Sequence, residues 1–198
     1  MRKNWAALAL TGMLCLTTFA GTQTVSAETA DSAKQVDIVF THDTHSHLHT
    51  FTTIVDEAEK EVGGFARINT LIQEQKAKNP DTLVIDGGDF SMGTLIQTVF
   101  ETQAAEIRML GYMGCDVTTL GNHEFDYRSK GLANMLNSAA ESGDDLPAMV
   151  VCNVDWESME AAGLSEGQQL IRDAFDEYGV SDYVVLEKGD TDIAVVGV

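Results

Sequence analysis

Positive charge is scarce in this chain: 12 lysines and arginines stand against 31 aspartates and glutamates. Such a surface repels nucleic acid polymers and anionic membranes, whose phosphates have to be met by cationic side chains. Long hydrophobic runs are lacking too. Trp5 to Ala20 is mostly apolar and uncharged, but it holds only about 16 residues where a spanning helix needs about 20. Stable membrane insertion is not expected. Arg2 and Lys3 precede this run, and Val25-Ser26-Ala27 follows it with small residues. That order reads as a signal peptide over residues 1–27, cleaved after Ala27, and hence as an exported protein, whether secreted, cell-surface or periplasmic. Leu14 is too bulky for Cys15 to serve as a lipid-attachment site.

Beyond the leader, residues 28–198 form a stretch of 171 residues, enough for one core. Loss of Arg2 and Lys3 leaves 10 basic residues against 31 acidic ones, a net charge of −21. Cysteine is as sparse, with Cys115 and Cys152 alone remaining. Export permits a disulfide. However, Cys115 opens one expected strand and Cys152 lies near the end of another. In parallel neighbours, four residues of strand would part them by about 13 Å, and a disulfide needs Cα atoms within about 7 Å. Two free, mostly buried thiols are expected.

What is present is an alternation. Val36–Phe40 is β-rich. Gly64 to Lys78 spaces Phe65, Ile68, Leu71 and Ile72 as one helical face, stopped by Asn79-Pro80. Thr82–Ile85 reads as a buried strand, Leu95–Met109 as a helix and Val117–Leu120 as a strand. Leu132–Ala140 reads as a helix and Ala148–Cys152 as a strand. This β-α-β-α-β-α-β order predicts an α/β fold with a largely parallel sheet. Residues 155–182 carry eight acids and only Arg172 as a base. Leu170, Ile171, Ala174, Phe175 and Tyr178 still trace a helical stripe, so an acidic helix packed on the core is expected. Tyr183–Leu186 and Ile193–Val198 flank Lys188-Gly189-Asp190 as a β-hairpin. No internal repeat or low-complexity linker is present.

Polar residues gather just after each expected strand: Asp43 and His45, then Asp89, then Asn122 and His123, then Asn153. Sites in α/β folds form at the carboxyl ends of strands, so these clusters should meet on one rim. Four of the five histidines fall within Phe40–His49. Asp43 and His45, two apart in an extended segment, can face one cation, but so can His47 and His49. Spacing alone leaves open a surface His tract that chelates metal without catalysis. Asp89 can bridge two cations or merely occupy a turn. Asn122 offers an amide oxygen. His123 can act as an acid near neutral pH, with Asp126 holding its ring, or the segment can be a plain loop with Asp126 as a helix cap.

Taken jointly, Asp43-x-His45, then Gly88-Asp89-x-x-x-Gly93, then Gly121-Asn122-His123-Glu124, each after a strand, resembles the calcineurin-like metallophosphoesterases. Gly121 to Asp126 and Gly63-Gly64-Phe65-Ala66-Arg67 are similar to the exported 5′-nucleotidase and 2′,3′-cyclic-nucleotide phosphodiesterase members. The resemblance spans residues 36–198. It implies a layered αββα sandwich and a hydrolase of phosphate esters, with nucleotides as the expected substrates. It also implies two divalent metal ions (Zn, Mn, Co, Fe or Mg). Such ions supply the positive charge that a phosphate ester would otherwise lack on this acidic surface. By that resemblance Asp43 and His45 bind the first metal, Asp89 bridges, and Asn122 binds the second. His123 and Asp126 form the dyad that assists the leaving group. Arg67 ties helix to loop, Asn153 is structural, and His42, His47 and His49 are rim residues.

Two departures stand out. The family usually has glycine after D-x-H. Ser46 stands there instead and is expected to alter how closely the loop approaches a metal. The family also completes its site with a later lone histidine and a G-H-x-H pair, yet no histidine follows His123. The chain is therefore expected to be the N-terminal part of a longer enzyme, its catalytic domain (residues 28–198) incomplete on its C-terminal side. A C-terminal substrate domain would be missing, and little activity is expected of the chain alone. A non-nucleotide metallophosphoesterase and an inert fragment are the remaining alternatives.

Overall fold

The computed structural model describes residues 34–198. The expected leader and Cys15 lie outside them. Strands β1 (Ile38–Thr41), β4 (Leu83–Asp86), β5 (Val117–Thr118) and β6 (Ala148–Met149) form one sheet in the order β1-β4-β5-β6. Every pairing in it is parallel, from Ile38 opposite Leu83 through to Thr118 opposite Met149. Parallel neighbours need crossovers, and helices supply them. Helix α1 (Phe65–Lys78) joins β1 to β4, α2 (Phe100–Gln103) and α3 (Ala105–Tyr112) join β4 to β5, and α4 (Arg128–Ala140) joins β5 to β6. The α/β reading with a parallel sheet is therefore correct, and four of its strands begin within two residues of their expected starts.

One hydrophobic core binds the helices to the sheet. Phe65 and Ile72 of α1, Phe100 of α2, Ile107 and Leu110 of α3, and Leu132, Met135 and Leu136 of α4 pack with Val84 and Met149 of the sheet. Each fully buried side chain of this size stabilises the fold by roughly 1.5–3 kcal/mol. Helix α1 ends where the sequence requires, since Asn79 is extended ahead of Pro80 and a residue before proline avoids the α region. Its face is narrower than the spacing suggested. Leu71 is 64% exposed, while Phe65 and Ile72 are buried.

The helix expected over Leu95–Met109 is broken into three pieces. A 3₁₀ turn (Leu95–Val99), capped by the Thr94 side chain, leads into α2, and Ala104 then adopts the left-handed conformation (φ 46°, ψ 42°) before α3. The break brings both Phe100 and Ile107 to full burial. It also frees the Glu101 carbonyl, which accepts a hydrogen bond from Ser138 Oγ of α4 at 2.8 Å. Periodicity cannot reveal a kink whose cost is offset by a partner in a distant helix.

Beyond β6 the chain forms α5 (Trp156–Ala162), which was not foreseen, and α6 (Glu166–Tyr178). Asp155 caps α5 by accepting the Ser158 N–H at 3.0 Å. Ser165 and Gln168 form a capping box at the start of α6. Ala174 and Phe175 of α6 are buried, as the expected acidic, core-packed helix requires. Strands β7 (Tyr183–Lys188) and β8 (Thr191–Val196) make the expected hairpin, somewhat longer than read. A second hairpin, β2 (Phe51–Val55) and β3 (Ala58–Val62), turns at Asp56 and Glu57, both at positive φ. Its turn lacks the glycine that usually marks such a connection, and its strands are exposed, so no alternation announced it.

The apolar residues Ile38 and Phe40, pointing away from the helices, are 55% and 59% exposed. The hairpin β7–β8 shows the same outward parity, with Tyr183 and Val185 exposed at 59% and 53%. Among the described residues no helix is long and apolar enough to cross a membrane.

Cys115 and Cys152 are both free, as expected. Cys115 is buried, and burial pushes its thiol up to about 12. Cys152 is exposed, contrary to expectation. Strand β6 ends at Met149 rather than Cys152, so the chain leaves the sheet earlier and the thiol faces outward. Native labelling with iodoacetamide at pH 8 should modify Cys152 and leave Cys115 unmodified until the chain is denatured. Peptide mass spectrometry reads both sites, and modification of native Cys115 would contradict the packing.

Candidate functional site

The parallel ladder of β1 and β4 does not stop at the sheet. Thr41 lies opposite Asp86, and the turns that follow run on side by side. The N–H of Asp43 donates to Gly88 O (3.0 Å), that of His45 to Asp89 O (3.1 Å) and that of Ser46 to Phe90 O (2.8 Å). Asp43, His45, Ser46 and Asp89 all sit at positive φ, between 46° and 54°. Each such residue costs on the order of 1 kcal/mol, least for Asp and His. Backbone strain of this kind clusters at functional sites.

The third loop approaches just as closely. A Cβ on Gly88 (φ +86°) would fall 2.6 Å from Gly121 N, and one on Gly121 would fall 2.1 Å from Asp89 Oδ1. Glycine at both positions is thus a packing requirement between the loop after β4 and the loop after β5. Asp89 Oδ1 accepts the His123 N–H at 2.8 Å across this contact.

His45, Asp89 and His123 each offer a ligand atom, all within 4.8 Å of one another. The rings of His45 and His123 meet edge to face at 4.9 Å. His45 Nδ1 lies 3.1 Å from Met92 O. Donation to that carbonyl leaves Nε2 with its lone pair free for a cation. That nitrogen stands 3.7 Å from Asp43 Oδ1. The other oxygen of Asp43 contacts His42 Nδ1, and this bond is the main reason the Asp43 carboxyl is held below the usual range. The charges of His42 and His45 lower it further.

With no cation, the NH₂ of Asn122 is best turned to Asp89 Oδ2 at 3.1 Å and its oxygen to the His123 N–H at 3.3 Å. The opposite orientation places the amide oxygen beside the carboxylate oxygen, an arrangement that two ligands of one cation adopt. The donor set therefore fits a divalent ion. His123 Nδ1 bonds Asp126 Oδ2 at 2.8 Å. That hydrogen bond, with the charge of Asp126, raises the imidazole pKa.

All six residues singled out from sequence come together on this rim. Asn153 does not join them. It is exposed on a cavity of about 320 Å³ that Phe125 and Trp156 also line. His42 contacts Asp43. His47 lies against Phe51 with ring centroids 5.3 Å apart, and His49 is exposed. Arg67 ties α1 to β3 through the Glu61 carbonyl (2.8 Å) and carboxylate (3.2 Å).

Sequence reasoning passed over three buried acids behind the rim. Asp86 accepts from Thr41 Oγ1 and the Gly88 N–H. Glu106 accepts from Ser46 Oγ at 2.6 Å, and Glu124 is fully buried. Burial raises the carboxyl pKa of Asp86 and Glu106. Ser46 is itself fully buried and aimed at α3, so its side chain anchors the D-x-H turn to a helix. An acid next to a motif histidine was the available signal for Glu124. Nothing near Glu106 in sequence marked it.

Fold and site together define an α/β protein that gathers carboxylates, imidazoles and an amide at the carboxyl rim of a parallel sheet, a cation-holding layout. Residues 36–193 match the family described as Calcineurin-like phosphoesterase, and the chain belongs to that family of metal-dependent phosphoester hydrolases. It is 36% identical over 110 residues to the 5′-nucleotidase of Mus musculus, covering 54% of this chain and 19% of that protein. It is 29% identical over 187 residues to a 5′-nucleotidase-related protein of Glossina morsitans morsitans, covering 90% and 32%. The 5′-nucleotidase precursor from Thermus thermophilus superposes with a TM-score of 0.62 at 26% identity, over 82% of this chain and 28% of that one. The chain thus spans 19% to 32% of the length of these relatives.

In the metal-free protein the His123 imidazole should titrate above the ordinary histidine value, and Asp126→Asn should bring it down, as read by NMR. The sign follows from the raised folded-state pKa. The stabilisation from this pair is complete below the unfolded value and fades as pH rises through the folded one. An unchanged midpoint in the variant would contradict the pairing.

Proposed function

We propose that this chain is the N-terminal, cation-holding part of an exported two-metal hydrolase of phosphate esters, with nucleotides as substrates. The convergence of His45, Asp89 and His123 carries the reading, with Asp43 and Asn122 beside them. Asp43 and His45 would hold the first ion and Asn122 the second, with Asp89 available to both. When bound, such ions lower the pKa of a water and neutralise charge that develops on phosphoryl oxygens. His123, whose pKa the hydrogen bond to Asp126 raises, would serve as proton donor to the departing oxygen rather than as a ligand. The nucleotide preference is supported by relatives that are themselves 5′-nucleotidases. The export is supported by the leader expected over residues 1–27.

The ligand count limits what this chain does alone. Asp43, His45 and Asp89 give one ion three ligands, and Asp89 with Asn122 gives the other two. Transition metals in nitrogen and oxygen sites usually take four to six. Further ligands and a substrate-binding domain are assigned to sequence that the relatives have and this chain does not cover. The rival chelating tract would rest on His47 and His49, and His47 is turned instead to the Thr44 carbonyl and the Phe51 ring.

Calorimetric titration with Mn²⁺ separates the readings. Asp89→Asn should weaken binding by about tenfold or more, as loss of metal-site partners commonly does. His47→Ala with His49→Ala should leave it within about twofold. The reverse order would favour the chelating tract. Nitrophenyl phosphate should be turned over poorly by residues 1–198. Robust Mn²⁺-dependent hydrolysis, lost in His123→Ala, would overturn the claim of low activity while supporting the chemistry.

A further inference from the structure

Glu124 is 0% exposed, and among the described residues it forms no ion pair with lysine or arginine. A buried carboxylate without a cation is costly unless donors surround it. Here four do. Glu124 Oε2 accepts the N–H of Gly121 at 2.7 Å and the N–H of Asp89 at 3.0 Å. Its Oε1 accepts the N–H of Ser91 at 2.9 Å and the Ser91 hydroxyl at 2.6 Å. Charge-assisted bonds of this kind are about twice as strong as neutral ones.

The position of these donors matters more than their number. Asp89 and Ser91 lie on the loop after β4, which also carries the D-x-H turn through its backbone bonds. Gly121 lies on the loop after β5, and Glu124 itself belongs to the 3₁₀ turn His123–Phe125. One carboxylate therefore joins the segment bearing Asp89 to the segment bearing Asn122 and His123. We propose that Glu124 is a positioning residue: it fixes the Asp89 carboxylate against Asn122 and His123 and so sets the affinity of the centre for divalent cations.

The identity of the group is demanding. A glutamine has nearly the same shape but offers one acceptor oxygen and one NH₂. Placed at Oε2, the NH₂ faces the N–H groups of Asp89 and Gly121. Placed at Oε1, it faces the N–H of Ser91. No rotamer satisfies all three backbone donors, whereas a carboxylate satisfies them at once.

The cation half of this inference rests on the metal reading above, and the test keeps the two apart. Glu124→Gln, in the 198-residue chain without metal, should accelerate hydrogen exchange at the amides of Asp89, Ser91 and Gly121 by about tenfold or more, with α1 and α4 unchanged. Its Mn²⁺ affinity should fall by about 10- to 100-fold. Leu132→Ala, which hollows the core beneath α4, lowers stability and should leave Mn²⁺ affinity within about twofold. Ser91→Ala removes one bond and keeps the charge, so smaller shifts in the same direction are expected even if Glu124→Gln does not fold.

Unaltered exchange overturns the inference. So does Mn²⁺ affinity within twofold of the parent in both loop variants, or an equal loss of affinity in Leu132→Ala. A parent chain that takes up no Mn²⁺ overturns the metal reading and the cation half with it. The exchange data then decide whether Glu124 joins the loops.

Discussion

The site depends on a backbone ladder that outlives its strands. Once Thr41 and Asp86 are level, the two turns beyond them continue hydrogen bonding, with Thr44 passed over, to Ser46 and Phe90. No side chain could hold Asp43, His45 and Asp89 in these left-handed conformations unaided. The ladder does so because it is anchored at both ends. The sheet fixes its start, and the fully buried Phe90 fixes its finish. Strain at the rim is thereby transferred to a core that can bear it.

Electrostatics give the arrangement its direction. Three acids are buried behind the rim, and the exposed face of the rim is acidic and imidazole-bearing. Lys188, which pairs with Asp116 at 2.9 Å, sits at the other end of the strands, where β5 begins. With a net charge of −19, the chain offers anions no welcome of its own. A divalent ion held at the rim would relieve like-charge repulsion among these side chains and would supply positive potential toward a phosphate ester.

The strand ends were legible in the sequence because buried parallel strands are short, apolar and abruptly terminated by polar residues. Asp43, Asp89 and His123 could therefore be placed on a common rim before any coordinates. The two essential glycines, Gly88 and Gly121, were visible only as motif letters, since their role lies in contacts between loops more than thirty residues apart. Glu124 stands inside a motif yet carries no local sign of its role, because its donors are mostly backbone N–H groups, and every residue but proline has one. The break at Ala104 and the hairpin β2–β3 escaped for a related reason. The break is decided by a partner in a distant helix, and the hairpin by pairing between two exposed strands that carry no apolar alternation.

Among the described residues strand β1 is both the edge of its sheet and apolar on its exposed side, at Ile38 and Phe40. An edge strand with unpaired backbone groups and greasy side chains is a template for adhesion. Mutual repulsion among so many negative charges opposes such clustering while salt is dilute, and screening weakens that defence within a Debye length of about 10 Å at 0.1 M. Ionic strength therefore sets how far that repulsion keeps one exposed edge from another.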